Sequence, residues 1–251
     1  AYAATGIRAV VAPMMADRTL YQVYPELLGN LPGALQPALA RLRAADPDAC
    51  LDVVRRAAHH WPFDTSQIRL GLAPTVPLHC SDAFLQGCAA LSAEFGLPLQ
   101  THLAESQAQA VYGEKRYGKS LVAHLAALGW LGLTGGCLSV AHAIWVSDED
   151  IEILARADVT AIHNPLSNLR LGSGIAPVRR MFERGLRVGL GSDGANTSDT
   201  QNLFEAARLA VGLSRVIGAD DSRWLSASEA LRMATEHSAL ALGWGGQLGR
   251  I

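Results

Sequence analysis

A parallel α/β fold of the (β/α)₈ barrel kind is predicted by three observations. Six short β-rich runs alternate with helical patterns. Reactive polar residues close four successive runs. No glycine-rich phosphate loop follows the first run, so a doubly wound nucleotide-binding sheet fits less well. The runs are Ile7–Pro13, Ile68–Pro74, Leu97–His102, Cys137–His142, Val159–His163 and Leu186–Asp193. Each is short, apolar and often β-branched, the composition of strands buried on both faces of a parallel sheet.

The helices between them are marked at their ends. Ser81-Asp82 opens a helical pattern that stops at Gly96. Ser147-Asp148-Glu149-Asp150 opens the next, and carboxylates suit a helix N-terminus. A pattern over Ile175–Arg184 stops at Gly185. Leu203, Ala207 and Val211 recur at helical spacing within Asn202–Val216. Ser226, three residues before Glu229, gives a capping-box start to a helix running to Leu242. The interval Met14–Gln67 is long for a connection and carries Pro25, Gly29, Pro32, Gly33 and Pro37 before a helical part at Pro47–His60. It reads as a loop over the site or as a surface insertion. No linker or low-complexity stretch divides the chain, which reads as one domain over 1–251.

Composition limits what this domain does. Of 251 residues, 49% are hydrophobic, enough for a sizeable core. The 21 Lys and Arg are balanced by 23 Asp and Glu, and no basic cluster suggests nucleic acid. No apolar run reaches the ~18 residues of a membrane span. Cys50, Cys80, Cys88 and Cys137 form no CxxC pair and read as scattered thiols, which with the absence of a signal-peptide pattern points to the cytoplasm. The chain opens Ala1-Tyr2 without an initiator Met and closes at Gly249-Arg250-Ile251, so it reads as a stretch of a longer protein.

The chemistry sits at strand ends. His102 closes one run and Glu105 follows it; His142, His163-Asn164-Pro165 and Asp193 close the next three. A parallel barrel brings the ends of its strands to one mouth. Imidazoles and a carboxylate gathered there suit a divalent ion of the zinc or iron type, and a nearby carboxylic acid that is not a ligand can move protons. Taken singly, each has an ordinary structural reading: a hydrogen-bonded histidine, a cap at Asp193, a turn at His163-Asn164-Pro165. His59, His60, His124 and His237 read as structural, and His79, in a loop after a strand, reads as a residue that reaches substrate.

The runs THLAES, VAHAIWVSDEDI, AIHNPLSNLRLGSGIAPV and VGLGSDGANTSDTQNLFEAARLA resemble the amidohydrolase superfamily. Within it they are similar to the cytosine-deaminase-like branch, which includes S-adenosylhomocysteine, guanine and 8-oxoguanine deaminases and triazine hydrolases. The resemblance runs from Ile7 to about Leu242. It implies that His102 and Asp193 bind a metal, zinc first with iron or manganese as alternatives, and that Glu105 shuttles protons. It also implies that His142 stabilises developing charge and Asp193 deprotonates the water. His79, Trp145, Asn164 and Asn168 are the candidate substrate contacts. The implied reaction is hydrolytic deamination of a small purine, pterin or triazine heterocycle. Triazine dechlorination or cyclic-amide hydrolysis is the alternative, and the branch is often a homo-oligomer.

One departure is large. The family carries a His-x-His pair on its first barrel strand, and no His-x-His occurs in this sequence. The strand at Ile7 matches the family's third. The expectation is therefore a barrel lacking its first two strands and the flanking β-sandwich, with two metal ligands instead of a full set. Such a stretch is not a competent enzyme by itself, and an inactive scaffold or binding protein is the reading from another class. A smaller departure bears on substrate: Leu72 precedes Ala73-Pro74 where S-adenosylhomocysteine deaminases carry a histidine.

Overall fold

The structure is a computed structural model that describes residues 1–132, 137–218 and 220–250; the chain end at Ile251 lies outside the described residues. The chain forms two compact units, Ala1–Thr101 and His102–Ile251.

In the first unit, β1 (Ala9–Val11) pairs in parallel with β3 (Ile68–Leu70), Val10 opposite Arg69. Two shorter pieces, β2 (Met14–Met15) and β4 (Ala73–Pro74), pair in parallel just beyond them. The expected strands Ile7–Pro13 and Ile68–Pro74 are therefore each interrupted. Pro13 brings no N–H to a ladder. At Gly71 an added Cβ would lie 2.7 Å from Val10 and 3.1 Å from the Pro98 carbonyl, so only glycine lets the chains approach this closely. Leu72 then turns its backbone to the next strand, β5 (Leu99–Leu103): its N–H donates to the Pro98 carbonyl and its carbonyl accepts from Gln100.

The long interval is mostly helical. Short helices occupy Leu20–Val23, Pro25–Gly29 and Gln36–Leu39, and a longer one spans Pro47–His59. Thr19 and Gln22 form a capping box at the first, and the Asp46 carboxylate accepts from the Ala49 N–H at the last. The helix Asp82–Phe95 begins at a Ser81 cap and ends on Gly96 in left-handed conformation. Its inner face buries Phe84, Leu85, Cys88 and Leu91.

β5, of which His102 and Leu103 belong to the second unit, is followed by β6 (Leu138–His142), β7 (Thr160–His163) and β8 (Arg187–Leu190), side by side in chain order. β6 pairs in parallel with β7, Ala141 opposite Ile162, and β7 with β8, Ala161 opposite Val188. Leu138, Val140, Ala161, Val188 and Leu190 are buried on this sheet, and Ile151, Leu154, Met181 and Met233 are buried on the helices of the unit. The helix Asp148–Arg156 starts with a capping box between Ser147 and Asp150. The expected helix to Leu242 is continuous in path but not in pitch. An α-helical part, Ala227–Arg232, passes into a π-helical turn at Met233–His237 and back to α-helix at Ser238–Ala241. The wider turn lets His237 Nδ1–H donate to the Val188 carbonyl at 2.8 Å and Ser238 Oγ accept from Leu190 N–H at 3.2 Å. Among the described residues no helix is long and apolar enough to cross a membrane.

Candidate active site

Four strand ends of the second unit carry the candidate residues. His102 lies within β5, and Glu105 follows two residues after that strand ends. The Glu105 backbone N–H donates to Gln109 Oε1 at 2.9 Å, which ties the loop to the first turn of the helix Gln107–Tyr117. His142 is the last residue of β6, 1% exposed. Its ring stacks on that of His102, centroids 5.5 Å apart and planes at 22°, and its Nε2 lies 4.0 Å from Glu105 Oε2.

The backbone at these ends is unusual. Ala104, His142, Ala143 and Asp193 all have positive φ, between 46° and 72°. Such a conformation costs a residue with a Cβ roughly 1–2 kcal/mol and persists only where the surroundings enforce it. Here the chain end of β6 is clamped onto that of β5. Ala143 N–H donates to the Leu103 carbonyl, and the Ile144 and Trp145 N–H groups both donate to the Ala104 carbonyl.

A single turn after β7 supports the rest. The helix Pro165–Arg170 is started by Pro165 at its first position and carries Ser167 and Asn168 side by side, both buried. Ser167 Oγ donates to Asp193 Oδ2 at 2.6 Å, while Gly194 N–H donates to the other carboxylate oxygen at 2.7 Å. Asn168 Oδ1 lies 2.8 Å from His142 Nδ1. Burial pushes the Asp193 carboxyl pKa up, but the hydrogen bonds from Ser167 and Gly194 and the nearby charge of His142 outweigh it, and the group sits below its ordinary value. His163 is 2% exposed and its Nδ1 is buried without a hydrogen-bond partner. Burial first, then the charge of His142, pushes its pKa down to about 4, so it is neutral at pH 7.

The candidate substrate contacts separate. Asn168 is 1% exposed and spends its carbonyl oxygen on His142. Asn164 is buried against the chain after β8, where a Cβ on Gly191 would fall 2.2 Å from its Oδ1. Trp145 is 40% exposed, with Nε1–H donated to the Ser173 carbonyl at 2.7 Å. Trp145 and His163 also line a half-open cavity of about 810 Å³ with Ile175, Leu213 and Trp224. His79 belongs to the first unit, on the turn Pro77–His79, where burial pulls its pKa below the ordinary imidazole range. The supporting role of Ser167 was not read from the sequence; its signal was its place in Asn164-Pro165-Leu166-Ser167-Asn168, immediately after a reactive strand end.

Among the described residues no group of three or more His, Cys, Asp or Glu side chains is placed to hold a metal ion. His102 and Asp193 are two donors, and a stable zinc site takes three or four. The residues of this chain alone do not fit a resident ion.

The sequence model of the amidohydrolase family matches residues 1–251. This chain belongs to the amidohydrolase family. Among its relatives is a 5-methylthioadenosine/S-adenosylhomocysteine deaminase of Syntrophobacter fumaroxidans, 36% identical over 184 residues, covering 73% of this chain and 41% of the relative. An adenosine deaminase from Xanthomonas campestris with bound zinc superposes with a TM-score of 0.82 at 25% identity, covering 99% of this chain and 51% of the other. A guanine deaminase from C. acetobutylicum with guanine in its active site gives 0.80 at 26% identity, over 98% and 54%. The amidohydrolase chain thus spans about half the length of these proteins, and its parallel α/β architecture is the barrel type that the sequence predicts, in part.

Proposed function

We propose that the protein containing this amidohydrolase chain deaminates a purine ring of the adenosine type by hydrolysis. The observation that carries the reading is the pairing made by one turn: neighbouring residues Ser167 and Asn168 hold Asp193 and His142, and His142 in turn lies against His102 and Glu105. That gathers two carboxylates and two imidazoles with different environments, the arrangement acid–base chemistry needs.

The reaction replaces an exocyclic amine by oxygen, with water consumed and ammonia released. Asp193, held ionised at neutral pH, takes a proton from the attacking water. Glu105 gives a proton to the ring nitrogen next to the reacting carbon and takes one back from the added oxygen as it becomes the product carbonyl, while the proton on Asp193 passes to the amine, which leaves as ammonia. His142, close to Glu105, donates to the oxygen on which charge develops. A divalent ion would lower the pKa of the water toward ~7. His102 and Asp193 are the donors this chain offers to it, and zinc, as in the Xanthomonas neighbour, is the ion we favour, in a site that needs further donors.

The substrate class follows the relatives more than any single position. Leu72 argues against S-adenosylhomocysteine if a histidine is required there, yet Leu72 is fully buried with both backbone groups in the ladder to β5. A deaminase of adenosine derivatives and one of guanine are both similar over most of this chain. The test is ammonia release by the full-length protein with adenosine, methylthioadenosine, S-adenosylhomocysteine, guanine and a chlorotriazine. Ammonia from an adenosine compound supports the reading; chloride from the triazine, or turnover of none of the five, sinks it.

A further inference from the structure

We infer that Asn168 is a positioning residue that fixes the ring of His142 in one orientation and one tautomer, with Nδ1–H donated to the Asn168 amide oxygen and Nε2 turned toward Glu105. The inference rests on His142 belonging to the active site, and it changes the role of Asn168 from substrate contact to support.

Three observations carry it. First, Asn168 is 1% exposed and His142 is 1% exposed, so neither can exchange this partner for bulk water. The 2.8 Å contact between Oδ1 and Nδ1 is a short, buried hydrogen bond. Second, the turn that carries Asn168 is anchored at both ends. Its N–H donates to the Asn164 carbonyl and its carbonyl accepts from Ser173 N–H, so the side chain leaves a fixed point. Third, the surroundings of His142 are acidic on the far side. Glu105 Oε2 is 4.0 Å from Nε2. When Nε2 also holds a proton, both ring nitrogens are donors. Only the amide oxygen can accept from Nδ1–H. With the oxygen facing the ring, that bond persists whether Nε2 holds a proton or not, so Nε2 can gain and lose one without the ring turning. With the amide reversed, each protonation of Nδ1 would set two donors against each other.

A second consequence is that Asn168 Nδ2 is buried without a partner. An unsatisfied buried amide nitrogen is tolerated where the group serves something else, and here the carbonyl end is what the site uses.

The experiment is a two-bond ¹H–¹⁵N correlation spectrum of the full-length protein labelled on histidine, at about pH 9, above the ordinary imidazole range. The His142 signals are assigned by their loss in His142→Gln. The expected result is the pattern of a protonated Nδ1 and bare Nε2 for this ring. Asn168→Asp, which keeps the acceptor, should keep the pattern, and Asn168→Leu should move it toward Nε2–H, the preference of free imidazole. In the deaminase assay Asn168→Leu should lower kcat about 10–100-fold while KM changes less than about threefold. An Nε2–H pattern in the unaltered protein overturns the tautomer assignment without any variant having to fold. A raised KM with unchanged kcat makes Asn168 a substrate contact and overturns the positioning role. If no substrate is turned over, the deaminase reading fails while the spectrum still decides the role of Asn168.

Discussion

Acid should destabilise the second unit through His163 before the carboxylates titrate. An ordinary imidazole titrates at 6.5, and in the folded chain burial and the charge of His142 push this one down to about 4. The unfolded chain therefore binds a proton between these values that the folded chain refuses. The sign follows: the contribution is fully present above pH 6.5, falls as pH drops through the window, and is lost once pH passes below 4. At ~1.4 kcal/mol per pH unit the full gap corresponds to about 3 kcal/mol. Lowering the pH from 7 to 5 uses about 2 kcal/mol of it. His237, in the same unit, is also held low, with burial the main cause, so it pulls in the same direction. The contribution of His163 is isolated by comparison with His163→Gln, which is neutral at every pH. Urea unfolding at pH 7 and pH 5 should show the variant losing about 2 kcal/mol less than the unaltered chain over this step. Parallel losses in the two proteins would refute the argument and mean that the buried ring acquires its proton at little cost.

Three further outcomes are expected. Ser167→Ala removes a donor from Asp193, so its carboxyl should titrate at higher pH; the acid limb of the deaminase profile should move up and kcat fall about 10–100-fold, and an unmoved limb would detach Ser167 from the site. Gly191→Ala places a Cβ 2.2 Å from Asn164 Oδ1 and 2.9 Å from Ile162 Cγ2; thermal unfolding should show a loss of about 1–3 kcal/mol, whereas an unchanged Tm would show that Asn164 swings aside freely. Ser147→Ala breaks the capping box with Asp150; a loss of about 1 kcal/mol should appear as a lower urea midpoint, and hydrogen exchange should speed up in the first turn of Asp148–Arg156.

What the sequence made legible follows from how locally each feature is encoded. Ser81, Ser147 and Ser226 announce helix starts because a cap is made within four residues, and each is found bonding the N–H three residues on. The apolar runs at β6, β7 and β8 read as strands because both faces are buried. The helix Gln107–Tyr117 was not read, and its burial explains this: Gly113 is its one buried residue among those described, so it shows no apolar stripe. The breaks at Pro13 and Gly71 depend on the backbone of a distant strand, which spacing does not reveal. At the candidate site, His102, Glu105, His142 and Asp193 were visible because each stands at or just beyond a strand end. That Asn168 bonds His142 and Ser167 bonds Asp193 was hidden, since a polar residue after a strand looks the same whether it faces a ligand or another side chain.

The strand order of the second unit bears on how the chain acquires its structure. Each strand from β5 to β8 is bonded to the one next to it in the chain, and the helices that follow β5 and β6 begin at serine caps, Ser106, Ser120 and Ser147. Closing each pairing therefore requires only the segment just behind it, and the loop-closure entropy paid at any step stays small. A chain leaving the ribosome can add one strand at a time to an edge that already exists. At each step the strand made last is the open edge until its successor pairs with it.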